Sequence, residues 1–241
     1  MTLKAILFDF NGVIINDEFL HEKLIEQVLI DENLLLRPGE YNQFCLGRSD
    51  SACLEGILTE RGRYINEGYL DQLIKRKSLA YQQQLESLEE LPVYSDTIDF
   101  ISQVAKANLK MAVVSGALRS EVELVLNKAN LGDFFKTIIA GDDVEASKPK
   151  PDAYLLAVNI LNQQYPDMNL YPSECLAIED TFAGIEAAKL AGMSVVGVAH
   201  TYPFHMLQRL ANWCVDYLSD LELDRIQQVY QEIDSSIGLA D

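Results

Sequence analysis

The stretch Ala5-Ile6-Leu7-Phe8-Asp9-Phe10-Asn11-Gly12-Val13 decides the fold. Four apolar residues in a row have the character of a buried strand, and the carboxylate of Asp9 follows at the strand's C-terminal end. In open α/β sheets that end is where ligands bind. Gly12 lets the backbone turn sharply beside a bound anion. Such a loop suits a nucleophile, yet its third residue is Asn11, and an amide neither gives nor takes a proton at neutral pH.

Further Val- and Ile-rich runs at 111–114, 137–140, 176–178 and 195–198 alternate with segments of helical period. That alternation predicts an α/β fold, a Rossmann-like parallel sheet with helices on both faces. After Ser115-Gly116, the pattern Ser120-x-x-Glu123 predicts a capping box, then a helix with Val122, Val125, Leu126 and Ala129 on one face and Gly132 as its stop. Pro151-Asp152 opens another helix, with Leu155, Val158 and Leu161 on or near one face. A small-residue helix over 184–190, ended by Gly192, would bring Ala187, Ala188 and Ala191 close to the sheet.

From 17 to 92 strand alternation is absent, and Leu20-Leu24-Val28, Leu54-Leu58 and Leu70-Ile74 have helical spacing. A connection of about 75 residues is too long for an ordinary βα loop. The expected organisation is a catalytic core over 1–16 and 93–241, with a helical cap over 17–92 inserted after the first strand. Beyond Ser219 the chain reads as a charged helix with an acidic tail and no evident chemistry.

With 241 residues, 49% of them hydrophobic, the chain can bury a full core without disulfides. Cys45, Cys53, Cys175 and Cys214 show no CxxC pairing and no His at ligand spacing, so a zinc site is not expected and a reducing cytosol is. No apolar run approaches the roughly 20 residues of a membrane span, and Met1-Thr2-Leu3-Lys4 leads into a strand rather than a cleavable signal. A cytoplasmic protein is expected. Against 37 Asp+Glu stand 19 Lys+Arg, a formal charge of −18, which repels nucleic acid and anionic membrane. A small anionic substrate would need a metal and a few placed cations to overturn that field locally. Oligomeric state leaves no mark in the sequence.

Polar residues punctuate four strand ends or loops: Asp9 and Asn11; Ser115-Gly116; Lys148-Pro149-Lys150-Pro151-Asp152; and Glu179-Asp180 followed by Thr181-Phe182-Ala183-Gly184. In a parallel sheet these ends share one edge, so residues far apart in sequence can converge. In this order and at these positions they resemble the haloacid dehalogenase superfamily. The resemblance is to the branch, similar to beta-phosphoglucomutase and phosphoglycolate phosphatase, that carries a helical cap between its first and second motifs. It covers Asp9 to about Gly197.

The resemblance implies a Mg²⁺-dependent hydrolase of small phosphorylated metabolites, of the sugar-phosphate type. Asp9 would attack phosphorus and become an aspartyl-phosphate, while Ser115 and backbone N–H groups around Gly116 would hold the transferring phosphoryl group. Lys148 would neutralise the nucleophile and the developing charge. Glu179 and Asp180 would hold Mg²⁺ with one Asp9 oxygen and the backbone carbonyl of Asn11, hard oxygen ligands of the kind Mg²⁺ prefers. Arg48, after Gly47 in the cap, reads as a surface residue or as a group that reaches down to the substrate.

Asn11 departs from that pattern. The carbonyl ligand survives, but the group that protonates the leaving oxygen and later activates water is gone, and such assistance is typically worth about 10²–10⁴-fold. Slow native chemistry, an engineered trap and partial deamidation of Asn11-Gly12 are all open. So are two rival functions, a hexose-phosphate mutase and a phosphate-ligand binding protein that has lost turnover. Ser49-Asp50, following Arg48, weighs mildly against the mutase, which needs a basic partner there. A phosphonate-cleaving enzyme ranks lower, since no Schiff-base lysine stands out among Lys23, Lys75 and Lys77; Glu179-Asp180 argues against the metal-free dehalogenases. Lys75-Arg76-Lys77 reads as a solvated helix face and Lys150 as a solvated charge. His21 reads as a surface residue or a substrate contact, and Trp213, His200 and His205 as packing or loop residues.

Overall fold

The computed structural model describes residues 2–237. Its strands are β1 (Ala5–Phe8), β2 (Lys110–Val114), β3 (Thr137–Ile139), β4 (Cys175–Glu179), β5 (Ser194–Val198) and β6 (Trp213–Val215), all parallel, in the order β3-β2-β1-β4-β5-β6. The α/β fold expected from the alternation is therefore present. β6 was not foreseen, because three residues at the sheet's edge, none of them fully buried, carry too little pattern to register as a strand.

β1 is central because its side chains are needed on both faces. Ile6 and Phe8 point into one core with Phe100, Val122, Val125, Ile226 and Tyr230; Ala5 and Leu7 point into the other with Tyr154, Ala157, Ala187 and Leu207. The period of two along a strand makes this division, and an uninterrupted apolar run is what a doubly covered strand requires. One face is covered by α5 (Ser95–Lys106), α6 (Arg119–Lys128) and α10 (Leu223–Ile237), and the other by α7 (Asp152–Gln164), α8 (Phe182–Leu190) and α9 (Phe204–Leu207). Ala187, Ala188 and Ala191 are buried against the sheet as anticipated. The expected acidic tail after α10 lies outside the described residues.

Two helix details differ from the sequence reading. Ser120 is not a cap: α6 begins one residue earlier, and Asp142 from another loop accepts from the Arg119 N–H at 2.9 Å, so a tertiary partner replaces the local one. Leu155 is exposed, and the buried face of α7 is Ala153, Tyr154, Ala157, Val158 and Leu161.

Between β1 and α5 lie α1 (Glu18–Asp31), α2 (Glu40–Phe44), α3 (Asp50–Glu60) and α4 (Glu67–Glu86). They gather a core of their own from Ile25, Val28, Leu29, Leu54, Ile57, Leu58, Leu73 and Ile74. The chain leaves and re-enters the sheet side by side: Asn16 N–H donates to Pro92 O at 2.8 Å and Tyr94 N–H to Ile14 O at 3.1 Å. Within this insert Cys45 and Cys53 form a disulfide, against the expectation of a chain without one; their eight-residue separation has no CxxC signature, and the α2–α3 turn brings them together.

The basic run Lys75-Arg76-Lys77 is not a uniform solvated face. Lys77 is buried, its ammonium 2.8 Å from Asp50 Oδ2, 3.5 Å from Glu121 Oε1 and 2.6 Å from His21 Nδ1. Burial alone would lower its pKa, but the Asp50 and Glu121 charges hold it above the ordinary lysine value. His21, expected at a surface or against substrate, is buried against Lys77 and lines the cavity shared by Asp9 and Asn11.

Candidate active site

The C-terminal edge of the sheet collects the polar residues. β1 has β2 on one side and β4 on the other, so Asp9, Ser115 and Glu179-Asp180 leave three adjacent strands at the point where the strand order reverses. Asp9 N–H donates to Ile178 O at 2.9 Å and Ser115 N–H to Ile139 O at 2.8 Å, which continues the sheet just past the strand ends and fixes where both side chains start.

Lys148 joins them. Its ammonium lies 2.8 Å from Asp9 Oδ1 and 2.6 Å from Glu179 Oε1, and donates to Val114 O at 3.0 Å. Tyr154 of α7 donates to the same Glu179 oxygen at 2.6 Å. All four side chains are buried. Burial alone would depress the Lys148 pKa, but the Asp9 and Glu179 charges raise it above the ordinary lysine value, so it stays cationic. Removing such a partner would leave buried carboxylates uncompensated, which typically costs about 3–5 kcal/mol.

Opposite Lys148 the field is acidic. One oxygen from each of Asp9, Glu179 and Asp180 lies within 4.8 Å of the others. Burial and the Asp9 charge push the carboxyls of Glu179 and Asp180 up, with Lys148 opposing at Glu179 and Thr201, which donates to Asp180 Oδ2, opposing at Asp180. Glu179 Oε2 and Asp180 Oδ1 are buried with no hydrogen-bond partner. Converging hard oxygens with unfilled lone pairs are the donor set of a Mg²⁺-type cation, so the residues present fit such an ion. Gly12, at φ +76°, lets Asp180 come this close: a Cβ there would sit 1.9 Å from Asp180 Oδ2. His200, expected to pack, also pins this loop by a 2.7 Å contact from Nδ1 to Gly12 O while stacking on Tyr94.

Ser115 Oγ accepts from the Ala117 N–H at 2.9 Å, which leaves its own O–H free to donate. Gly116 sits under the insert, where a Cβ would be 2.7 Å from Arg48 O. The Arg48 side chain is exposed at the rim of the same cavity. Lys150 is exposed, away from these contacts.

Asn11 is where sequence reasoning missed most. Its Nδ2 donates to both oxygens of Asp17, at 3.1 and 3.0 Å. Asp17 is fully buried, also accepts from Tyr81 OH, and lies 3.3 Å from His21 Nε2. The His21 ring sits between the two groups, its Nδ1 2.6 Å from the Lys77 ammonium and its Nε2 3.0 Å from Asn11 Nδ2. A donor at residue 11 is thus wired to a carboxylate six positions on. The adjacent Glu18, half-buried at the start of α1, accepts from Tyr41 OH at 2.6 Å and lines the cavity shared by Asp9, Asn11, Gly47 and Thr181. The pair Asp17-Glu18, placed immediately after the strand-exit segment, was the available signal for both.

That cavity is only about 30 Å³. The insert is folded down upon it, with Gly47 against Thr181 and the Ser49 N–H donating to Ser147 Oγ at 2.8 Å.

Comparison with known proteins matches this arrangement. Beta-phosphoglucomutase of Bacillus subtilis (strain 168) is 29% identical over 237 residues, covering 95% of this chain and 96% of its own. The fructose-1-phosphate phosphatase of Escherichia coli (strain K12) is 29% identical over 197 residues, 80% of this chain and 95% of its own. Among solved structures, the beta-phosphoglucomutase of Clostridium difficile superposes with a TM-score of 0.83 at 23% identity, over 97% of this chain and 99% of that one. The profile of the haloacid dehalogenase-like hydrolases matches residues 3–192, most of the chain and all of Asp9, Ser115, Lys148, Glu179 and Asp180, and the chain belongs to that family.

Proposed function

We propose that the protein is a Mg²⁺-dependent phosphatase of small phosphate monoesters of the sugar-phosphate type, working through an aspartyl-phosphate on Asp9. The observation that carries this reading is the placement of Lys148 within 2.8 Å of Asp9 Oδ1 beside the unpartnered oxygens of Glu179 and Asp180. A single buried cation opposes three acids, so the site has room in its charge balance for a dication and a phosphoryl group.

In this reading Mg²⁺, held by Asp9, Glu179, Asp180 and the backbone carbonyl of Asn11, supplies charge neutralisation at the phosphoryl group. Asp9 presents a carboxylate oxygen in line with the phosphorus, oriented by Lys148. The free O–H of Ser115 and the backbone N–H groups near Gly116 hold the phosphoryl oxygens. Residues 17–92 act as a cap that admits the ester and then excludes bulk water from the aspartyl-phosphate.

A mutase must also grip a second phosphate from the cap. Lys77 is committed to Asp50, Glu121 and His21, so Arg48 alone among the cavity's lining residues could serve that grip, and Asp50 beside it opposes a second phosphate; this favours the phosphatase. The test is phosphate release from a panel of sugar phosphates, with and without Mg²⁺, by the parent and by Asp9→Asn. Multiple turnovers that need Mg²⁺ and vanish in Asp9→Asn are expected. Interconversion of a hexose phosphate without net phosphate release would make it a mutase, and binding without either reaction a phosphate-ligand binding protein.

A further inference from the structure

A phosphatase with Asn11 where an acid would serve needs its proton from elsewhere. Resting on the phosphatase reading, we propose that Glu18 is the general acid and base of this chain, delivering a proton to the leaving oxygen and recovering it from water. Glu18 shares one cavity with Asp9 and Asn11, on the insert's side, where the alcohol portion of an ester attacked by Asp9 has to lie.

Its surroundings suit the task. Burial raises the Glu18 carboxyl above the ordinary range, and the nearby charges of Asp17 and Asp9 push in the same direction. His21, one turn along α1, and Tyr41 of α2, whose hydroxyl donates to Oε1, oppose the shift. From α3 and the turn before it, Asp50 and Arg48 face the same cavity with opposite charges. Across the core loops Asp180 and Tyr94 both feel the Glu18 charge. Tyr41 occupies one carboxyl oxygen, so the other is available to carry the proton. Asp17 cannot take the role as readily, because both its oxygens are engaged by the Asn11 amide.

The steps balance. An Asp9 oxygen bonds to phosphorus as the bond from phosphorus to the leaving oxygen breaks, and that oxygen takes the Glu18 proton, releasing a neutral alcohol and a Glu18 carboxylate. A water oxygen then bonds to phosphorus while its proton passes to Glu18. The bond from phosphorus to Asp9 breaks, giving inorganic phosphate, the Asp9 carboxylate and a protonated Glu18 again.

The test compares the parent with Glu18→Gln on two substrates, an alkyl sugar phosphate and p-nitrophenyl phosphate, reading kcat/KM across pH. An alkoxide must be protonated to leave and a nitrophenolate need not be, so E18Q is expected to lose about 10²–10⁴-fold on the alkyl ester and less than about tenfold on the aryl one. The parent's alkyl-ester kcat/KM should decline on the alkaline side as Glu18 loses its proton, and that limb should disappear in E18Q. Equal losses on both esters would assign Glu18 a structural role, and no loss on either would remove it from the reaction; each overturns this proposal while the phosphatase reading stands. Silence of the parent on both esters overturns the two together.

Discussion

Asp17 is a carboxylate sealed from solvent, and the amide of Asn11 is part of what makes it tolerable. Asn11→Asp alone would put a second carboxylate about 3 Å from the first, so one of them must take up a proton or the loop must shift. We expect the single variant to lose about 1–3 kcal/mol at neutral pH, and the paired exchange Asn11→Asp with Asp17→Asn to recover most of it, as read by urea denaturation. An Asn11→Asp protein as stable as its parent would show that this contact does not govern the loop. The sequence could show that residue 11 was unusual, but the compensation lies in a contact made after the chain turns, and a single Asp six positions on has no signature of its own.

At the scale of elements, the closed insert depends on a left-handed glycine. Gly47 has φ +73°, and a Cβ there would lie 2.4 Å from Thr181 Oγ1, the hydroxyl that also caps α8 through the Gly184 N–H at 3.2 Å. Gly47→Ala should therefore hold the insert off the sheet edge, cutting kcat/KM for a sugar phosphate by about tenfold or more, while costing only about 1 kcal/mol of thermal stability from the strained φ. Unchanged kinetics would mean that the two surfaces part by this much without consequence. Elements with strong periodicity were legible: the apolar run of β1, and the spacing of Leu20, Leu24 and Val28 in α1. Those decided by tertiary partners were not, as at the start of α6, where Asp142 overrides the Ser120 pattern, and at β6, which is paired only along one edge.

For the molecule as a whole, the acids raised by burial set the response to pH. Glu179, Asp180, Glu121 and Glu18 keep protons in the native state at pH values where the unfolded chain has released them. The native state then binds more protons than the unfolded one, so stability falls as pH rises through and above the ordinary carboxylate range. Without Mg²⁺, the urea midpoint is expected to drop between about pH 5 and pH 8, and added Mg²⁺ should flatten that drop by standing in for the lost protons. A midpoint that rises over this interval in the absence of metal would contradict the assignment. The strand-end carboxylates were readable because a parallel sheet aligns its ends. Lys77 was not, since a charge among neighbouring charges looks solvated until Asp50 and Glu121 are seen to enclose it.

The small cavity has one more consequence. A sugar phosphate needs several hundred cubic ångströms, and the space over Asp9 amounts to about 30 Å³. On the phosphatase reading, the form described here is a closed one, and the ester would enter through a form in which the insert stands further off. On that same reading, opening the insert would part the Lys77–Glu121 contact and lift Gly47 from Thr181, the contacts that seat it on the sheet edge. Throughput is then bounded by how often the molecule breathes, and a faster proton transfer alone would not lift that ceiling.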